Sequence, residues 1–174
     1  LLLGPDAHCA LVPTGVKFIP VEHDACSQRS KEEADLVNEL VESLLEHRYQ
    51  DENGNEHRLT LENILVVAPY NMQVNLLKQV LPEGARVGTV DKFQGQEAEV
   101  VIISMTTSSG DCLPRFISFL YSKNRLNVAI SRAKCLALLV ANPALMAISC
   151  STPEEMALVN TLCWAREYSV PRKG

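Results

Sequence analysis

Positive charge is in short supply. Sixteen Lys and Arg stand against 21 Asp and Glu, a formal net charge of −5 over 174 residues. A chain that held nucleic acid by bulk charge would be basic. Any such contact must therefore come from a local groove or a partner domain. Aromatics are also scarce, at 5%. The apolar 47% is mostly Leu, Val, Ile and Ala, a mix suited to strands buried on both faces with helices laid against them.

The six cysteines (9, 26, 112, 135, 150 and 163) form no Cys-x-x-Cys pair and no His/Cys cluster with zinc spacing. Cys135 opens the apolar run CLALLVA and reads as a buried thiol. A disulfide framework is superfluous in a chain with this much core, so reduced thiols and a cytoplasmic setting are expected. No segment reaches the roughly 18 apolar residues that would span a membrane. The start, LLLGPDAHCALVP, lacks the basic region and continuous apolar stretch of a signal peptide. It also opens on Leu1 without an initiator Met, as a piece of a longer polypeptide would.

Catalytic signatures are missing too. There is no G-x-x-x-x-G-K-[ST] phosphate loop, no G-x-G-x-x-G and no G-x-S-x-G elbow. The four histidines (8, 23, 47 and 57) lie in polar or amino-terminal segments without a matching nucleophile, and each reads as a surface residue. Acyl transfer and metal-dependent hydrolysis have no visible machinery.

What is present is an alternation of strands and helices. Gly15 to Glu22 reads as a first strand, after an irregular lead-in over about 1–14. Ser30 and Glu33 form a Ser-x-x-Glu capping box, and Ala34, Val37, Val41, Leu44 and Leu45 recur at helical spacing behind it. That predicts a helix over 31–47. YQDENGNEHR is a polar turn or excursion. Ile64 to Ala68 is a short continuous apolar run, as in a buried parallel strand. Pro69-Tyr70-Asn71 follows, then a helix through Val74, Leu77 and Val80. Arg86–Val90, Val100–Met105 and Leu136–Ala141 are further strands, with a helix over 123–133 between the last two. Asn142-Pro143 is an N-cap followed by Pro, and Thr152-Pro153-Glu154-Glu155 opens a last helix towards Trp164. The whole is an α/β domain with a mainly parallel sheet flanked by helices.

In such sheets functional groups gather on loops leaving the carboxyl ends of strands. Two stretches stand out. VGTVDKFQGQE packs Asp91, Lys92, Gln94, Gly95, Gln96 and Glu97 between two buried strands. Gly95 permits positive φ, and Glu97 could accept from hydroxyls, but a structural turn is an equal reading. Only about eight residues separate Val90 from Glu99, short for a parallel crossover. Either that pair is antiparallel or a one-turn helix makes a tight connection. In KNRLNVAISRAK, a helical wheel groups Leu126, Ala129, Ile130 and Ala133. It sets Arg125 and Arg132, seven apart, on the edge of that stripe. They either snorkel to groups at the sheet edge or present their forks to a phosphate across a cleft.

These stretches together resemble superfamily 1 helicases. VGTVDKFQGQEAEVVIIS resembles motif V and its extension, NRLNVAISRAK motif VI and ILVVAPYNMQV motif IV, in the family's order. The chain is most similar to helicases of the nonsense-mediated-decay and replication nuclease-helicase group, among them bacterial RecB-like nuclease-helicases. The Ser30 capping box, the LPEG turn and FLYSKNRLNVAISRAK extend the likeness over nearly the whole chain. The resemblance implies a single domain over 1–174, the second, C-terminal RecA-like domain of a motor, with a P-loop-NTPase-like fold but no Walker A of its own.

It also implies roles. ATP with Mg²⁺ would lie between this domain and a first RecA-like domain of the same polypeptide, which would carry the metal ligands. Single-stranded DNA or RNA would cross both. Arg132 would stabilise charge developing on the γ-phosphate, with Arg125 beside it. Gly95 would lie near that phosphate, Glu97 on the ribose hydroxyls and Gln94 between nucleotide and strand. Pro69, Tyr70, Asn71 and Thr89 would lie along the nucleic-acid backbone. Tyr70 would stack on a base, or else serve as a core-edge residue. By this reading the 174 residues alone would not hydrolyse ATP. The reading from another class is a non-catalytic RecA-like module that binds a protein or scaffolds a complex.

Overall fold

The computed structural model describes residues 1–108, 123–150 and 153–169, the side chains of 123–125, 154, 155, 158 and 169 excepted. Five strands form one parallel sheet: β1 (Gly15–Pro20), β4 (Ile64–Val67), β5 (Arg86–Gly88), β6 (Ala98–Ser104) and β7 (Ala133–Ala141). Their order is β1-β7-β6-β4-β5. A separate antiparallel hairpin, β2 (Arg48–Gln50) and β3 (Glu56–Arg58), is the polar excursion.

The continuous apolar runs are explained by burial on both faces. Ile64 and Val66 of β4, Val100 and Ile102 of β6, and Leu136, Leu138 and Val140 of β7 point to one side. There they meet Val37, Leu40, Val41 and Leu44 of α1 (Lys31–Leu45) and Val74 and Leu77 of α2 (Asn71–Val80). Their alternates Leu65, Val67, Val101, Ile103 and Leu139 face the other side. On that face they pack on Leu126 and Ala129 of α3 (Lys123–Ser131) and Leu162 and Ala165 of α4 (Pro153–Ser169).

The short connection is resolved as a one-turn helix. Strands β5 and β6 are not neighbours; each lies parallel to β4, on opposite sides of it. Residues 89–97 make the return through a 3₁₀ turn at Val90–Phe93, whose Phe93 is buried. Gly88 lies level with Ile103 through Val67, so the chain must drop about five residues, roughly 17 Å, to enter β6 at Ala98. Nine residues reach that far because β5 is only three residues long.

Several expectations are corrected. Helix α3 ends at Ser131 and β7 begins at Ala133, so Ala133 is not part of a helical stripe and Arg132 sits in the turn between them. Cys135 is only partly buried. His23 and His47 are buried, at 6% and 8% exposure, not surface residues. Thr152, expected to cap α4, and Cys112 lie outside the described residues. No helix among the described residues is long and apolar enough to cross a membrane.

The hairpin turn is held by one carboxylate. Asp51 accepts from the backbone of Asn53 and Asn55 and from His57 Nε2 at 2.9 Å. The His57 bond, then the Asn55 amide, hold its carboxyl down at about 2. The hairpin contribution is therefore present above the ordinary carboxylate range, near pH 4, and lost as pH falls towards 2. The protection of the Asn53 and Asn55 amides against exchange, relative to their intrinsic rates, should fall over that window, and in Asp51→Asn it should be low throughout it.

Candidate functional site

The residues singled out above fall at two edges of the sheet. Pro69, Tyr70 and Asn71 leave the carboxyl end of β4, and Thr89 leaves that of β5 beside it; Ala68 N donates to Gly88 O at 3.1 Å. Pro69, Tyr70 and Thr89 are partly exposed and Asn71 is exposed at the first turn of α2. Tyr70 is half-buried, which raises its hydroxyl pKa. This is the crevice at the carboxyl edge that open α/β sheets offer.

The remaining residues are not there. The loop 89–97 descends across the sheet, so its last residues arrive at the amino edge. Gln96 Oε1 accepts from Arg86 Nη2 at 2.7 Å, where β5 begins. Ala98 N donates to Arg132 O at 3.0 Å, where β6 and β7 begin side by side. Arg132 is thus tied to Ala98 by the backbone, whatever its side chain does. The expectation that the polar loop sits wholly at a carboxyl end is corrected by this descent.

At that amino edge Gln94, Gly95, Gln96 and Glu97 are all exposed. Gly95 has φ +77°, and a Cβ there would meet nothing within 4 Å. The glycine is needed for the backbone turn rather than for space. Neither Gln94 nor Glu97 makes a side-chain hydrogen bond among the described residues, and Lys92 turns back to Val87 O instead of pairing with Asp91. Arg132 Nε is buried and has no hydrogen-bond partner among the described residues. A buried guanidinium N–H without an acceptor is costly and marks where an acceptor belongs. A phosphate oxygen has the chemistry to fill it, and the free amide and carboxylate groups of Gln94 and Glu97 suit the hydroxyls of a sugar. The side chain of Arg125, at the start of α3, lies outside the described residues. No group of His, Cys, Asp and Glu among the described residues is arranged to hold a metal ion.

One constellation was not visible in the sequence. Glu33 is fully buried, and so is the His23 side chain. Glu33 Oε1 lies 2.9 Å from His23 Nε2, while Oε2 accepts from Ser104 Oγ at 2.6 Å and from Thr106 N at 2.9 Å. His23 Nδ1 meets Ser108 Oγ at 2.7 Å, and that oxygen also accepts from Cys26 N. With Nε2–H given to the carboxylate, Nδ1 is left to accept the Ser108 hydroxyl hydrogen. Gln73 of α2 joins the set, binding Ser30 through both backbone groups and Ser104 through Nε2. The Ser30 cap is therefore half the expected box: Ser30 Oγ accepts from Glu33 N, but the Glu33 carboxylate goes elsewhere. The one available signal was that Glu33 lies four residues before Val37, on the apolar stripe of α1.

Two strained residues flank this network. Ala25 has φ +55° and Thr106 has φ +67°, a left-handed conformation that a β-branched side chain avoids. Such a residue costs about 1–3 kcal/mol and persists only where its surroundings over-determine it. Beside the network, Glu22, His23, Asp24, Ser108 and Asn142 line a cleft of about 410 Å³ at the carboxyl ends of β1 and β7.

A five-stranded parallel sheet sandwiched between helix pairs, with its polar groups in loops at the strand ends, is a RecA-like, P-loop-NTPase-type architecture. The family comparison agrees: the model of the AAA domain family matches residues 8–144, and the chain belongs to that family. Among its relatives, the DNA polymerase alpha-associated DNA helicase A of Schizosaccharomyces pombe is 40% identical over 105 residues, 59% of this chain and 14% of the relative. An uncharacterised ATP-dependent helicase of Methanocaldococcus jannaschii is 32% identical over 140 residues, 75% of this chain and 18% of its own length. The RNA helicase Mov10l1 of Homo sapiens is 39% identical over 93 residues, 49% of this chain and 8% of its own. The chain is thus a superfamily 1 helicase-type domain that spans less than a fifth of these relatives.

Proposed function

We propose that residues 1–174 form the second, C-terminal RecA-like domain of an ATP-dependent helicase of the RecB-like nuclease-helicase kind. A cytoplasmic location suits the free thiols among the described residues, Cys9, Cys26, Cys135, Cys150 and Cys163. The amino-edge group of Gln94, Gly95, Glu97 and Arg132, joined by Arg125, would close on ATP held by a first RecA-like domain. That domain would supply the phosphate loop and the Mg²⁺ ligands. The carboxyl-edge group of Pro69, Tyr70, Asn71 and Thr89 would carry single-stranded nucleic acid. Thr hydroxyls and backbone N–H groups contact phosphates without bulk positive charge, which accommodates a net charge of −5.

The observation that carries this reading is the buried Nε of Arg132, without a hydrogen-bond partner among the described residues, in the turn whose backbone meets Ala98 at the end of the loop. A guanidinium held ready in this way stabilises negative charge that develops during phosphoryl transfer. Names among the relatives point to both nucleic acids, a DNA helicase and an RNA helicase. The test is an ATPase assay on the full-length protein with single-stranded DNA and RNA compared. Turnover stimulated by one of them supports the motor. A full-length chain that lacks a phosphate loop and an acidic pair upstream would instead favour a protein-binding module.

A further inference from the structure

The two halves of the loop 89–97 are held very differently. Its first half is seated: Phe93 is buried, and the Lys92 ammonium donates to Val87 O at 2.9 Å. The Lys92 stem lies across Gly88, where a Cβ would come within 2.5 Å of Lys92 Cδ, so β5 needs a glycine there to let the stem pass. Beyond Phe93 the chain turns outward through Gly95, and residues 94–97 are exposed. Among the described residues their side chains make one hydrogen bond, from Arg86 Nη2 to Gln96 Oε1 at 2.7 Å.

Arg86 is itself fixed from three sides. It opens β5 and pairs with Leu65 in the parallel ladder, so its backbone belongs to the sheet. Its Nη1 donates to Glu62 O, in the 3₁₀ turn Leu61–Asn63 that leads into β4. Its guanidinium carbon stands 6.0 Å from the centre of the Phe93 ring, to which Lys92 Nζ also comes within 5.5 Å. A planar fork with one arm on a fixed carbonyl holds its other arm in direction as well as distance, which an ammonium could not do. Arg132 is carried separately, by the bond of its carbonyl to Ala98 N where β6 and β7 begin.

We infer that Arg86, with Gln96 as its acceptor, is a positioning residue for the nucleotide side of the site. It sets the direction in which Gln94 and Glu97 present their amide and carboxylate, without touching nucleotide itself. The inference rests on the motor reading above and adds a division of labour to it. The loop's contacts with bound ATP depend on the Arg86 tether, whereas Arg132 is held by the start of β6 and β7 and does not. Loss of the tether therefore weakens ATP binding and spares the chemical step, the reverse of what loss of Arg132 does.

The test is steady-state ATPase of the full-length protein with single-stranded oligothymidylate and oligouridylate, for Arg86→Met, Gln96→Met and the double variant. Each single variant should raise the KM for ATP about five- to tenfold, the effect of losing one exposed hydrogen bond to a charged group. At saturating ATP, kcat and the strand concentration for half-maximal turnover should stay within about twofold. The double variant should be no worse than Arg86→Met alone, because the bond between the two is already gone. If the wild-type protein shows no strand-stimulated turnover, the motor reading falls and this inference with it. If wild type is stimulated and both single variants keep its KM for ATP, this inference alone falls. Single effects that multiply in the double variant, or a loss in kcat as large as the rise in KM, would mean that the two residues act separately or only support the fold, and would also overturn it. Should Arg86→Met fail to fold, Gln96→Met, at an exposed side chain, decides by the same KM.

Discussion

Replacing Arg132 with Ala in the full-length protein should reduce strand-stimulated ATP turnover by about 10³–10⁵-fold, the range over which such arginines act in phosphoryl transfer. Nucleotide and strand affinities should change far less, because the guanidinium acts on charge that appears only as the phosphoryl group moves. The fold should survive. Arg132 is tied to β6 through its backbone carbonyl, which any residue supplies, and its Nε has no hydrogen bond among the described residues to lose. Lys in its place restores charge but not the planar fork, so Arg132→Lys should recover little. Steady-state ATPase at saturating strand, with nucleotide binding measured alongside, provides the check. Turnover near the wild-type rate in Arg132→Ala would remove the central support of the motor reading.

The largest effect on stability should come from Glu33→Ala. Truncation leaves the His23 Nε2–H, the Ser104 hydroxyl and the Thr106 N–H without their acceptor in a fully buried site. Each buried donor left without an acceptor costs about 1–3 kcal/mol, so the three together should cost about 3 kcal/mol or more. The strained φ of Thr106 adds to the loss once nothing holds its N–H. Denaturant unfolding should show the free energy in water lowered by that amount, through a lower midpoint with the slope unchanged. A change below about 1 kcal/mol, the level of an exposed pair, would mean that water or a rearranged loop replaces the carboxylate. Glu33→Gln should cost less, since it preserves volume and one acceptor oxygen.

Much of the fold could be read from apolar patterning. β4, Val100–Ile103 of β6 and Leu136–Ala141 of β7 are uninterrupted apolar runs, and only strands buried on both faces require that; the parallel sheet between two helix layers follows. The Ser30 cap and the stripe behind it placed α1 within two residues of its observed end. The strand boundaries were less legible. β7 extends back to Ala133 because it pairs with Ala98, a partner in another segment that local pattern cannot register.

The polar stretches divide in the same way. VGTVDKFQGQE and the Arg132 region could be picked out from composition and order, because exposed polar groups between buried strands need a reason. Their separation into two edges could not. It depends on β5 being short and β6 lying on the far side of β4, so that the loop crosses the sheet instead of capping it. The His23–Glu33 pair was missed for a related reason. A carboxylate after a helix start satisfies the local capping pattern, and nothing nearby in sequence shows that its partners are residues 104 and 106.

By itself, then, the sequence determined the α/β class, the helix starts and the residues worth suspecting, because periodicity and capping are local properties of the chain. Only the tertiary structure decided which of those residues face the same space. It put the Arg132 backbone against Ala98 at one edge, Pro69 and Tyr70 beside Thr89 at the other, and a buried carboxylate against the end of β6. Those placements come from strand order and from hydrogen bonds spanning tens of residues, and no window of sequence contains both partners.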